Sequence, residues 1–275
     1  TNSLNTAVGY NAGTAVTTGV QNTLIGALAG DALTDSDENV AIGYGALSSD
    51  TLGQYSVAIG RNALTTQNFT TATSTFNTAV GYLAGGEVTT GAGLTLIGAV
   101  AGDALTVGTN NTAVGGAALG SDTKGSRSVA VGNSALQTQN FTTATNVYNT
   151  GLGYGAGSDI TTGVQNTLIG GLAGDALTTA VNNIAIGYKA LTADTLGRKN
   201  VAIGVGALED QNFTTATDAY NVAIGDNAGA NVTTGTGNTL IGGLAGDALT
   251  DADDNVALGY LALTADTLGS KSTAI

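Results

Sequence analysis

Five residue types are missing from this chain: proline, cysteine, methionine, tryptophan and histidine. Without cysteine there is no disulfide framework and no thiolate chemistry. With neither histidine nor cysteine, the usual general base and the strongest nucleophile are both gone. Without proline, every residue can donate a backbone N–H, which suits uninterrupted hydrogen-bond ladders. Basic residues are few, 7 Lys and Arg against 20 Asp and Glu, for a net charge of −13. Phosphate affinity needs clustered Lys and Arg, so a nucleic-acid partner is not expected. The acidity instead suits a particle that must stay soluble. No run of eighteen apolar residues exists, so no helical membrane insertion is expected.

What the sequence has is glycine, 43 of 275 residues, and a repeat. Near-copies of Asn39-Val40-Ala41-Ile42-Gly43 begin at residues 5, 22, 39 and 56, and the same series of four restarts at 77, 149 and 221. The spacings run 17, 17, 17, 21 and then repeat, so four copies make one supercycle. A fixed short period marks a solenoid. Seventeen residues are too few for a strand, a crossover helix and a second strand. The pattern predicts an all-β fold, a parallel β-solenoid or β-roll of about 16 coils. At about 4.8 Å per coil it would form a rod of about 75 Å. The expected organisation is one repetitive segment over 1–275, with supercycles 5–76, 77–148, 149–220 and an incomplete 221–275. Thr1 already matches Thr73, Thr145 and Thr217, and Ile275 stops one residue short of a glycine. The expectation is a window of a longer chain, or ends that stack head to tail.

Counting the first residue of each copy as position 0, position +4 is glycine and +7 alanine in all fifteen copies that reach them. Glycine at +4, as at Gly43 and Gly187, reads as a corner needing φ > 0 or close backbone approach. Alanine at +7, as at Ala46 and Ala190, reads as a stack with room for one methyl. Position +3, as at Ile42 and Ile186, is always aliphatic and is expected to form the inward ladder, each side chain contributing about 1.5–3 kcal/mol on burial. Position +2 is mostly alanine, so the strand is apolar on both faces. A strand buried on both sides reads this way. The second face is therefore expected to meet another copy of the chain around a threefold axis.

Ser56-Val57-Ala58-Ile59-Gly60-Arg61-Asn62-Ala63-Leu64 and its copy at 128–136 resemble the head repeats of trimeric autotransporter adhesins, a YadA-like left-handed parallel β-roll. Asn183-Ile184-Ala185-Ile186-Gly187-Tyr188-Lys189-Ala190-Leu191 resembles repeats of phage tail fibres. The resemblance covers essentially the whole chain. It implies an extracellular, homotrimeric fibre on a virion or cell surface.

Recognition is sought where the regularity breaks. Each fourth copy carries four extra residues within Gln-Asn-Phe-Thr-Thr-Ala-Thr at 67–73, 139–145 and 211–217. Insertions in solenoids map to loops on one face. Asn68, Phe69, Asn140, Phe141, Asn212 and Phe213 are thus candidate surface contacts for a host glycan or protein. The alternative is that each phenylalanine folds back over its bulge. Asn68-Phe69-Thr70 and its copies also match the glycosylation sequon. The acid clusters Asp35-Ser36-Asp37-Glu38 and Asp251-Ala252-Asp253-Asp254 invite a calcium reading, but the equivalents at 107–110 and 179–182 lack acids, which favours solvated turns. Asp31, Asp50 and their copies read as turn residues whose carboxylates accept from nearby N–H groups. The asparagines at position 0 read as an amide ladder.

No catalytic residue, cofactor or metal is assigned. Acids recurring once per supercycle describe a material, not one preorganised site. The leading reading is a structural fibre or adhesin segment, either shaft or head. A self-polymerising secreted filament is the alternative. An ice-binding solenoid is third; it would need a threonine column in successive coils, and the Thr17-Thr18 pair recurs only once per supercycle.

Overall fold

The computed structural model describes residues 3–275; the frame match of Thr1 lies outside them. The chain divides into two compact units, 1–133 with 140–146, and 134–139 with 147–275. Each is a stack of parallel coils, and the all-β solenoid read from the repeat is the fold. No helix occurs among the described residues.

Each coil contributes one short strand at positions +1 to +3. In the first unit these are Thr6–Val8, Thr23–Ile25, Val40–Ile42, Val57–Ile59, Thr78–Val80, Thr95–Ile97, Thr112–Val114 and Val129–Val131. The second unit stacks Thr150–Leu152, Thr167–Ile169, Ile184–Ile186, Val201–Ile203, Val222–Ile224, Thr239–Ile241, Val256–Leu258 and Thr273–Ala274 in the same way. Register is position on position, Ala41 opposite Ala58 and Ile42 opposite Ile59. The longer fourth coil changes nothing in the ladder, since Ile59 still faces Val80.

Which strand residue points inward differs from expectation. Ala41, Ala58 and Leu96 at +2 are 0% exposed. Residues at +1 and +3, Ile42 and Ile186 included, are at best half-buried, and Ile25 and Leu152 are 38% and 43% exposed. The coil interior is therefore built from the small +2 column, and the aliphatic +3 ladder lines the outside. The reason is volume. Ala46 and its copies at +7 from Ala29 to Ala245 are also fully buried, and a coil this thin has no room for two facing rows of isoleucine.

Gly43 turns the corner at φ 130°. A Cβ there would stand 2.6 Å from the carbonyl oxygen of Gly60, the same position one coil on. Each glycine of this column leaves space for the next one's backbone. Beyond the corner, positions +6 and +8 and the residue before position 0 all take left-handed φ. Asn62, Leu64 and Tyr55 show it at 57°, 49° and 61°. Three left-handed residues per coil fold so short a repeat into a tight loop.

The core alternates in how it is filled. Leu24, Leu96, Leu168 and Leu240 at +2 reach inward, and their coils and the preceding ones carry glycine at +8. A Cβ on Gly13 would lie 2.6 Å from Leu24 Cδ1, and one on Gly30 2.8 Å from Leu24 Cδ2. The other two coils pair alanine at +2 with a buried leucine at +8, Leu47 and Leu64.

Candidate functional site

Asparagine at position 0 does two jobs. Asn39 Oδ1 accepts the backbone N–H of Ser56 in the next coil at 2.8 Å. Its Nδ2 donates to the carbonyl of Gly53, fourteen residues on in its own coil, at 3.0 Å. Asn183 repeats both bonds, from Asn200 N at 3.0 Å and to Gly197 O at 2.9 Å. The column is thus a ladder between coils and a clasp that closes each coil. The clasp had no signal in the sequence, because its acceptor is a backbone carbonyl.

The fourth coil has serine at position 0 in the first two supercycles, Ser56 and Ser128, and Gln67 lies near Ser56. Gln67 Nε2 donates to Asp50 Oδ2 at 2.6 Å and to Ser56 Oγ at 3.0 Å. Gln67 Oε1 accepts from Asn77 Nδ2 at 2.8 Å. Asp50 Oδ1 accepts the N–H groups of Gly53 and Phe69 at 3.1 and 3.0 Å. Asp194 and Gln211 form the same pair at 2.7 Å, with Phe213 N at 3.2 Å. Asp50, Gln67, Asp194 and Gln211 are all fully buried. Asp50 does accept a nearby turn N–H, that of Gly53, but it also belongs to a buried polar node that joins three coils through Gln67. Burial pushes its carboxyl above the ordinary value, against the pull of the Phe69, Gln67 and Gly53 donors. Asp194 is raised for the same reason, with Gln211 as the largest opposing donor.

The node holds the four extra residues. Leu52 N donates to Phe69 O at 3.0 Å and Leu52 O accepts from Thr73 N at 3.3 Å. One residue below is thus bracketed by two above, and residues 70–72 project as an exposed tip. Phe69, Phe141 and Phe213 are 7%, 7% and 6% exposed. They cover their bulges and are not available as surface contacts. Asn68, Asn140 and Asn212 remain exposed, but their Oδ1 atoms accept from Thr51, Thr123 and Thr195 hydroxyls at 3.1, 3.0 and 3.2 Å.

Those threonines belong to a column at +12 that was hidden between the pairs. It reads Thr17, Thr34, Thr51, Asn68, and begins again at Thr89 in the next supercycle. Thr34 Oγ1 donates to Thr51 O at 3.1 Å and Thr178 Oγ1 to Thr195 O at 3.1 Å. Three successive coils thus do align threonines, but their hydroxyls are committed to the coil-to-coil ladder rather than offered to ordered water.

The acid clusters are likewise used internally. Asp37 Oδ1 accepts Val20 N–H at 2.8 Å, and Asp35 Oδ1 accepts the Thr18 hydroxyl at 2.6 Å. Asp175 and Asp247 accept the hydroxyls of Thr192 and Thr264 one coil on, rather than the backbone N–H groups expected. Among the described residues, no three acids converge as a metal site and no pocket opens.

All nine tyrosines are exposed, from 37% at Tyr55 to 75% at Tyr10. They occupy two positions only: just before position 0 (Tyr55, Tyr148, Tyr220) and at +5, past the glycine corner (Tyr10, Tyr44, Tyr82, Tyr154, Tyr188, Tyr260). Tyr55 stacks on Phe76 of the next coil, centroids 5.5 Å apart.

No family model and no curated protein sequence matches the chain. The likeness to adhesin and tail-fibre repeats therefore rests on the motif and on the solenoid itself.

Proposed function

We propose that this chain is a non-catalytic structural segment of an extracellular fibre or adhesin displayed on a virion or cell surface. The observation that carries the reading is the outward strand face. At +1 and +3 it is built from Thr, Val, Ile and Leu in register through every coil of each unit, with no charge in either column up to Ile275. Such a face is costly to leave in water, at about 25 cal/mol per Å², and contiguous exposed apolar strips mark association surfaces. The proposed partner for it is a second and third copy of the same chain. The asparagine clasp, the threonine ladder and the glycine column are instead committed to neighbouring coils. Sedimentation velocity of the purified chain tests the reading. Trimers are expected at micromolar concentration, and electron micrographs should show elongated particles. A monomer that persists at high concentration would sink the self-association, and globular particles would sink the fibre.

A further inference from the structure

We infer that the tyrosine column at +5 of the first unit is a stacking platform for a neutral, extended β-1,4-linked polysaccharide. This inference deepens the fibre or adhesin reading by naming a ligand class, and it rests on that reading.

The column is defined by hydrogen bonds. Leu28 N donates to Tyr10 O at 2.9 Å, Gly45 N to Ala27 O at 3.0 Å, Asn62 N to Tyr44 O at 2.9 Å, and Leu83 N to Arg61 O at 3.0 Å. Tyr10, Tyr44 and Tyr82 therefore stand in coils one, three and five of a single ladder. Ala27 and Arg61 occupy the coils between. Two coils of rise place the backbones of successive tyrosines about 9.5 Å apart. That stride is close to one disaccharide of a flat, extended β-1,4-linked pyranose chain, in which every second sugar presents the same face.

The chemistry agrees. Tyr10, Tyr44 and Tyr82 are 75%, 53% and 49% exposed; the Arg61 guanidinium lies over one face of Tyr44, 5.9 Å from its centroid, so a sugar would take the other face or displace it. Equatorially substituted pyranoses carry axial C–H bonds that pack on the negative face of an aromatic ring. Tyrosine offers that area with little rotamer entropy to lose. The flanking +6 column supplies the amides of Asn11 and Asn62 for sugar hydroxyls. Charge selects against acidic glycans. Columns +5 and +6 of the first unit contain one charged residue, Arg61, while the chain as a whole carries −13. A polyanion would meet that overall repulsion with one cation to offset it. The second unit repeats a shorter version at Tyr154 and Tyr188, again two coils apart.

The test is retention on microcrystalline cellulose and on chitin powder, with cellohexaose and chitohexaose as soluble competitors and α-linked amylose as control. Retention on cellulose, chitin or both, released by the matching hexasaccharide and absent on amylose, supports the inference. Tyr10→Ala, Tyr44→Ala and Tyr82→Ala should each weaken retention by about tenfold, while the Tyr→Phe versions retain it. Adding Tyr154→Ala and Tyr188→Ala should remove what remains. Circular dichroism should be unchanged, and melting should fall only slightly in Tyr44→Ala, where the Arg61 guanidinium 5.9 Å from the ring centroid loses its contact. No retention on either β-1,4-linked polymer, or retention untouched by the five alanines, overturns it. Sedimentation of the same preparations reads the fibre proposal separately, so either can fail alone.

Discussion

Replacing Asn39 and Asn183 by alanine removes both jobs of the position-0 amide in two settings that differ in what the clasp's acceptor has left. Asn39 is fully buried. Alanine orphans the Ser56 N–H, which had only the Asn39 Oδ1 one coil below at 2.8 Å. It also removes the clasp to Gly53 O at 3.0 Å, but that carbonyl keeps the hydroxyl of Ser36. One buried unsatisfied donor costs about 1–3 kcal/mol, and one lost hydrogen bond with its acceptor still satisfied about 0.5–1.5 kcal/mol. Asn39→Ala should therefore cost about 2–4 kcal/mol. Asn183 has the same two bonds, but alanine replaces Ser36 at the equivalent position 180. Gly197 O then loses its side-chain donor outright, and Asn183→Ala should cost about 1 kcal/mol more. Stacked coils open locally and do not obey one two-state equilibrium. The assay is therefore amide exchange at Ser56 and Asn200. Protection should fall by about two orders of magnitude in the first variant and further in the second, at about 1.4 kcal/mol per factor of ten. If both variants stay within about 0.5 kcal/mol of the parent, the clasp contributes nothing and water replaces it.

Three further expectations follow from the same geometry. Gly43→Ala would push a methyl to 2.6 Å from Gly60 O, whereas Gly259 at φ 131° has nothing within 4 Å; the first should abolish folding of its unit, and the second should cost only backbone strain of about 1–3 kcal/mol, read by thermal melting. Glu38 is exposed at φ 57°, so Glu38→Asn should raise stability by about 0.5–1 kcal/mol, since asparagine tolerates the left-handed region; a lower melting temperature would refute the strain argument. Asp50 and Asp194 are raised by burial above the ordinary 3.8; the native state then binds more protons than the unfolded chain between 3.8 and the raised values, so stability should be fullest below that window and fall as pH rises through it. Asp50→Asn with Asp194→Asn should flatten that slope, and an unchanged pH profile of the melting temperature would refute it.

The fold was legible because one period dictates it. Glycine at +4 and alanine at +7, fixed in every copy, could serve only a stack of identical corners, and Gly43 and Ala46 do so. The direction of the strand was not legible. Ile42 and Ala41 are both apolar, so alternation carried no signal, and ordinary hydrophobicity favours burying the isoleucine. Steric room decided otherwise. The node at Asp50 and Gln67 was missed for a related reason. At +11 the four coils read Val16, Leu33, Asp50 and Gln67, so two polar residues occupy a core column. Each looks like a surface residue until its partner from the adjacent coil is placed beside it. The phenylalanine loops could be read two ways from sequence, as a contact or as a cover folded back over the bulge, and Phe69, 7% exposed, is the cover. The tyrosines carried a readable signal, a +5 column confined to odd-numbered coils and broken only at Gly116 and Asp226, which stands out only once the coils are aligned.

The four-coil supercycle has a cause in the core, and local conformational preference yields to it. Leu47 and Leu64 sit at φ 53° and 49°, a region that costs a branched residue about 1–2 kcal/mol. Gly13 and Gly30 occupy the same position in the other two coils at no such cost. If preference ruled, glycine would fill the column throughout. Yet a buried leucine gains about 1.5–3 kcal/mol from leaving water, and removing one leaves a void worth about 2–5 kcal/mol. Glycine is tolerated only where Leu24 reaches across from +2 to fill the same space, with its Cδ atoms already 2.6 and 2.8 Å from where the missing Cβ atoms would be. Leucine at +2 excludes leucine at +8 in two successive coils, and alanine at +2 requires it in the next two. That exclusion sets a four-coil period, and the buried Asp–Gln node keeps it in phase. Slipping the stack by one coil would set a leucine against a leucine and a carboxylate against an aliphatic side chain.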